Sequence, residues 1–260
     1  MGGQRKLAPT RRILSTILAI CVGCLLCACS AETRGTEAAA HQSHRVAFHA
    51  VDGALLRGRL FGKVSGVAFV FSHMGNRDNT EADWRRIATA LARHGRFALT
   101  YNRRGVCDPN GTTCSGGAGS YADAWKDVVG AYRFVMKAGA KRVVLVGASV
   151  GAMASLRAAA RADVRVAGLI EIAGVNHLSG YDFARHEISS IEGRKLFISS
   201  KGDPWGGADA AREWYRWASA PKQLVLLPGS AHGTDMLAED ARSAKRLTIL
   251  IETFGDKSIN

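Results

Sequence analysis

Past residue 29 this 260-residue chain has only two cysteines, and they do not stand in a C-x-x-C spacing. No cluster of histidines and cysteines accompanies them, so the sequence offers no zinc site and implies no bound metal. A basic stripe is also missing. The formal charge is +13, from 35 Lys+Arg against 22 Asp+Glu. That balance favours anionic partners. Yet the positive charges stand singly or in pairs, as at Arg103-Arg104 and Lys141-Arg142, without interleaved aromatics. The pattern argues against nucleic acid as a partner. Internal repeats and a second domain are missing too. With 47% hydrophobic and 22% charged residues, the chain can bury a core of ordinary globular type.

The first 29 residues do not read as part of a fold. Basic "RKLAPTRR" precedes apolar "ILSTILAICVGCLLCACS", the plan of a secretory signal. The run from Ile13 to Ala28 is shorter than the roughly 20 residues of a spanning helix. It ends in "LCAC", which resembles a bacterial lipobox: Leu26 three before the cysteine, small Ala28 just before it, and Cys29 as the residue to be lipidated. Cys24 is a poorer match, because Cys21 is not aliphatic. An uncleaved transmembrane anchor is the other reading of the same run. Thr10-Arg11-Arg12 matches twin-arginine export only weakly. The expectation is an exported protein anchored to a membrane, facing the periplasm or the cell exterior. Residues 30–44 are small and polar and suit a flexible tether. In an exported chain, Cys107 and Cys114, flanking the turn in "CDPNGTTC", read as a disulfide.

From residue 45 the pattern changes. "RVAFHAVDGALLRGRLF" alternates around Asp52-Gly53, a hairpin signal. "GVAFVFSH" is continuously apolar, as in a strand buried on both faces. "TEADWRRIATALARHG" has helical spacing, with Thr80 as N-cap and Gly95 as stop. Strand "RFALTYN", a helix from Ser120 to near Gly139, strand "KRVVLVGAS" and a helix over 150–161 follow. "VRVAGLIEIAG", "RKLFISSKGD" and "KQLVLLPGSAHG" read as further strands, with helices near 207–219 and 235–254. This alternation predicts an α/β fold over residues 45–260. Its sheet is doubly wound and mostly parallel, with an N-terminal antiparallel hairpin and helices on both faces. Residues 174–191 leave room for a short insertion only.

Ligands bind such sheets at the carboxyl ends of the strands. Gly147-Ala148-Ser149-Val150-Gly151 is a G-x-S-x-G at a strand-to-helix junction. A serine on that turn projects its hydroxyl above the sheet edge, and the glycines let neighbouring backbone pack close. In the plainer reading Ser149 merely caps the helix. A serine nucleophile needs a base, and the base needs an orienting carboxylate. His232 follows the last apolar strand in "LLPGSAHGTD", and Asp203 follows the strand before it in "LFISSKGDPWG". The order Ser149, Asp203, His232 is that of a triad on such a sheet.

Other histidines fit less well. His41, His44 and His49 precede the first buried strand, His94 ends a helix, and His177 and His186 lie in the insertion. Asp182, Glu187 and Asp235 do not follow buried strands, and Asp235 reads as the N-cap of the last helix. An oxyanion hole would come from the backbone N–H groups of Val150 and of Met74 in "FSHMGNRD". His73 is placed to brace that loop, or is simply a structural histidine.

On "SHMGN", "YNRRGVC", "LVGASVGAMAS", "SSKGDPW" and "PGSAHGTDML", the chain resembles the α/β-hydrolase superfamily over about residues 45–254. Its look is that of small, nearly lidless members such as dienelactone-hydrolase-like and esterase-like proteins. The resemblance implies acyl-transfer hydrolysis through a Ser149 acyl-enzyme, with no cofactor and a small ester or acyl compound as substrate. The chain departs from the superfamily pattern in reading His-Met-Gly for the commoner His-Gly, in "SVGAMA" and in its cysteine pair. A peptidase of the same fold and a non-catalytic binding lipoprotein are the competing readings. Trp205, Trp214, Tyr215 and Trp217 are candidates for the edge of a cleft, though Trp214 and Trp217, three apart on a helix, read more simply as a core-facing pair.

Overall fold

The computed structural model describes residues 43–254, apart from positions 65, 77, 112, 179, 239 and 240. The expected leader, Cys29 and the tether up to residue 42 lie outside the described residues.

Strands β1 (Ser43–His49) and β2 (Leu55–Phe61) form the hairpin foreseen around Asp52-Gly53. β1 begins two residues before the boundary read from composition. The sheet continues with β3 (Val67–Ser72), β4 (Phe97–Asn102), β5 (Arg142–Ala148), β6 (Gly168–Ile172), β7 (Arg194–Ser200) and β8 (Lys222–Leu227). Its order is β1-β2-β4-β3-β5-β6-β7-β8. β1, β2 and β4 pair antiparallel, and every later pairing is parallel.

The period of two along buried strands sorts side chains between two cores. Ala68 and Val70 of β3 face one cluster, with Val143 and Leu145 of β5. Phe69 and Phe71 face the other, with Val144 and Val146. Helices α2 (Ala124–Lys137), α3 (Val150–Ala159) and α5 (Gly207–Trp217) cover the first face. Helices α1 (Arg85–Arg93) and α6 (Ala241–Phe254) cover the second.

Helix ends depart from the sequence reading where short-range capping competes with the apolar period. Thr80 does cap, its Oγ1 accepting the Ala82 N–H at 3.2 Å, but the first turn, Glu81–Trp84, is 3₁₀. Helix α2 starts at Ala124, after a turn, not at Ser120. Asp235 is not the cap of the last helix. It lies inside a 3₁₀ turn, Gly233–Leu237, and α6 begins only at Ala241. The segment after β6 contains one short helix, α4 (Arg185–Ser190), that the sequence did not reveal. Trp214 is buried and Trp217 packs partly buried against the same core.

Arg104 ties the hairpin to the rest. Its guanidinium donates to Asp52 in the β1–β2 turn (2.8 and 2.9 Å) and to Asp127 of α2 (2.8 Å). Its backbone N–H also donates to Asp127 (2.9 Å). Hydrogen bonds from Arg104 hold the Asp52 carboxyl down to about 2.

Candidate active site

Ser149 is the single residue between β5 and α3, with φ +50° and ψ −117°. That conformation costs a non-glycine residue about 1–3 kcal/mol, so its surroundings must impose it. Close packing does so. A methyl on Gly151 would stand 2.3 Å from the Ser72 carbonyl oxygen and 2.7 Å from that of His73. A methyl on Gly147 would stand 2.2 Å from the Gly151 oxygen. The two glycines therefore let the end of β3 touch the start of α3. The Ser149 N–H donates to Ile172 at the end of β6 (2.9 Å), which fixes the turn from the other side.

Asp203 follows β7 and its carboxylate is fully buried. It accepts the Trp205 N–H (2.9 Å) and the Ser199 hydroxyl (3.3 Å). His232, in the loop after β8, points Nδ1 at Asp203 Oδ2 (2.8 Å) and Oδ1 (3.1 Å). Because a carboxylate only accepts, this contact puts a proton on Nδ1, so that in the neutral ring the lone pair is on Nε2. The two loops are laced together by Ser200 Oγ to the Ala231 carbonyl (2.7 Å) and the Gly202 N–H to Gly229 (2.9 Å).

Contacts of adjacent residues bring the other expected parts to the same place. A methyl on Gly233, next to His232, would lie 3.6 Å from the Ala148 methyl and 2.6 Å from the Met74 sulfur. Ala148 directly precedes Ser149. So the histidine loop, the serine turn and the Met74 loop converge. Val150 is the first residue of α3, and the N–H groups of a helix's first turn have no intrahelical acceptor. A methyl on Gly75 would stand 2.8 Å from the Val150 side chain.

His73 is fully buried and braces the Met74 loop. Its Nδ1–H donates to the Met74 carbonyl (2.8 Å), and Nε2 accepts the Arg103 N–H (3.1 Å). Burial, helped by the Arg103 charge, pulls its pKa down to about 3, so the ring is neutral. Trp205 is exposed, and its ring centroid lies 6.1 Å from that of His232. Cys107 and Cys114 are joined by a disulfide in the loop after β4. Of the expected site residues, only Cys29 falls outside the described residues.

Sequence reasoning passed over two charged residues here. Glu171 sits inside β6 with no exposure. One carboxyl oxygen accepts the Gly174 N–H and the other has no partner. Burial, with the Asp203 charge adding to it, pushes its pKa up to about 8. Its only signal is an acid interrupting the apolar run "GLIEIAG". Arg103 is the other, buried beside the Met74 loop.

Residues 72–188 match a family model described as the alpha/beta hydrolase fold. No curated protein matches the chain. Among solved structures, the Pyrococcus furiosus esterase Pf2001 is similar at 13% identity and TM-score 0.67, over 84% of this chain and 91% of that one. An alpha/beta hydrolase, GrgF, from Penicillium sp. sh18 is similar at 17% identity and TM-score 0.64, over 82% and 98%. The enol-lactonase from Burkholderia xenovorans LB400 is similar at 16% identity and TM-score 0.63, over 81% and 100%. With its eight-stranded sheet, its serine turn after β5 and these likenesses, the chain has the α/β-hydrolase fold.

Proposed function

We propose that this protein is an exported, lipid-anchored serine hydrolase of carboxylic esters or thioesters. The observation that carries the reading is the Asp203–His232 hydrogen bond at 2.8 Å, in loops packed against the strained Ser149 turn. In this reading Ser149 Oγ attacks the substrate carbonyl carbon while His232 Nε2 takes its proton. Asp203 holds the imidazole by Nδ1–H and stabilises the imidazolium that forms. The N–H groups of Met74 and Val150 receive the oxyanion. Collapse of the tetrahedral intermediate breaks the bond to the leaving alcohol or thiol, which takes the proton from His232. Water, deprotonated by the same histidine, then attacks the acyl carbon; the bond to Ser149 Oγ breaks, the acid leaves, and His232 returns the proton to Oγ. The similar structures named as esterases and a lactonase support this class of chemistry.

Export rests on the leader and tether, and the Cys107–Cys114 disulfide fits an oxidising compartment. The activity is tested with a fluorophosphonate probe and p-nitrophenyl esters of increasing chain length, run beside aminoacyl-anilides. Labelling and ester turnover are expected in the native chain and absent in Ser149→Ala. His232→Ala should lower kcat on the order of 10⁴-fold or more. Folded native protein that neither labels nor turns over esters would refute the reading, and preference for the anilides would make it a peptidase.

A further inference from the structure

Two adjacent arginines follow β4, and they differ in their partners. Arg104 is matched by two carboxylates, Asp52 and Asp127. Arg103, only 2% exposed, forms no ion pair with a carboxylate among the described residues. Its Nη2 reaches only the Met74 carbonyl, at 3.5 Å, and its Nε has no partner. Its guanidinium stands 5.1 Å from the centroid of the Tyr121 ring. Asp127 acts on it only from beyond ion-pair distance and is itself bound to Arg104, so the buried Arg103 charge is incompletely compensated, the kind that a ligand completes. Burial lowers its pKa, but a guanidinium keeps its charge at any physiological pH.

Arg103 lines a cleft of about 460 Å³ with Asn76, Asp78, Thr80, Asp108 and Tyr121. That cleft adjoins the reaction centre proposed above. A methyl on Gly75 would meet both the Tyr121 ring (3.0 Å) and the Val150 side chain (2.8 Å). The Met74 carbonyl that Arg103 reaches belongs to the residue assigned to the oxyanion hole. We infer that this cleft is an anion subsite, in which the Arg103 guanidinium receives a carboxylate carried on the acyl part of the ester substrate. That a substrate carries the carboxylate rests on the hydrolase reading; the anion site rests on a buried cation that no carboxylate contacts directly. Two wall residues limit the charge of what can enter. Asp78 lies at the exposed rim, and Asp108 holds the Thr113 N–H in the disulfide loop (3.1 Å). Their negative charges oppose a phosphate dianion more strongly than a monoanion, and a planar carboxylate suits the guanidinium fork.

The test compares p-nitrophenyl pentanoate with mono-p-nitrophenyl glutarate, whose acyl chain has the same length but ends in a carboxylate. The native protein should prefer the glutarate in kcat/KM by roughly 10- to 100-fold. Added salt should weaken the preference. Arg103→Met should abolish it, and Arg103→Lys should keep part of it. Equal rates on the two esters, or a preference that survives in Arg103→Met, would overturn the inference. Should Arg103→Met not fold, as judged by circular dichroism, the native preference and the Arg103→Lys variant decide. A titration that needs no turnover separates this inference from the hydrolase reading: glutarate against Ser149→Ala, by calorimetry, beside inorganic phosphate. Glutarate binding that weakens when Arg103→Lys is added, and disappears with Arg103→Met, supports the subsite. No binding, or tighter binding of phosphate, overturns it. If neither ester is cleaved by native protein, the hydrolase reading falls and the calorimetry still decides the site.

Discussion

At Glu171 burial and charge conflict directly. Its carboxyl is held at about 8 in the folded protein, against about 4.3 in an unfolded chain. Between those values the unfolded chain gives up a proton that the folded one retains. Stability must therefore fall as pH rises through that window, by up to about 1.4 kcal/mol per pH unit. Glu171→Gln keeps an oxygen for the Gly174 N–H and removes the ionisation. Its amide replaces the O–H of the protonated carboxyl with an NH2 at the unpartnered oxygen, and any cost of the extra N–H is the same at every pH. Urea unfolding at pH 5 and pH 8 should show the variant gaining stability relative to native protein at the higher pH. An unchanged difference between the two pH values would remove the assignment. Residues of this kind are hard to read in advance. Ser149, Asp203 and His232 each follow an apolar strand, so position marked them. Glu171 shows in the sequence only as an acid inside an apolar run, and Arg103 only as one of a pair of arginines; their burial and missing partners are not contained in a string of letters.

At the scale of elements, the β3–α3 contact decides whether the serine turn exists. Gly151→Ala would push a methyl against the backbone oxygens of Ser72 and His73, which cannot rotate away. It should destabilise by roughly 2 kcal/mol or more and lower kcat, because the strand carrying the Met74 loop must retreat. Gly66→Ala is the control, since nothing lies within 4 Å of the place its methyl would take. Thermal melts of the two should differ accordingly, and equal Tm values would refute the packing account. The elements themselves were largely legible. Continuous apolar runs gave the central strands, and the 3.6 period gave α1, α2, α5 and most of α6. The 3₁₀ turns at Glu81–Trp84 and Gly233–Leu237 were not, because over so few residues their period of 3.0 does not separate from 3.6. Helix α4 is six residues long, too short for a period to show.

For the whole molecule, strand order is what alternation could imply only in outline. The sequence indicates a hairpin and parallel crossovers, but not that β3 sits between β4 and β5, where its end meets the serine turn. The expected anchor belongs to this scale as well. Cys29→Ala should move the protein from the detergent phase to the aqueous phase in a two-phase extraction and abolish labelling by a fatty-acid analogue. Partitioning and labelling that persist would remove the lipoprotein reading. The last consequence comes from the paired arginines after β4. Arg104 joins hairpin, strand and helix through its own side chain, while position 103 holds the His73 ring through its backbone N–H and adds one long side-chain contact to the Met74 carbonyl. Every amino acid except proline supplies that N–H. The bond that fixes the His73 ring therefore survives substitution at position 103, a buried wall position where selection or a designed library can change what the cleft accepts.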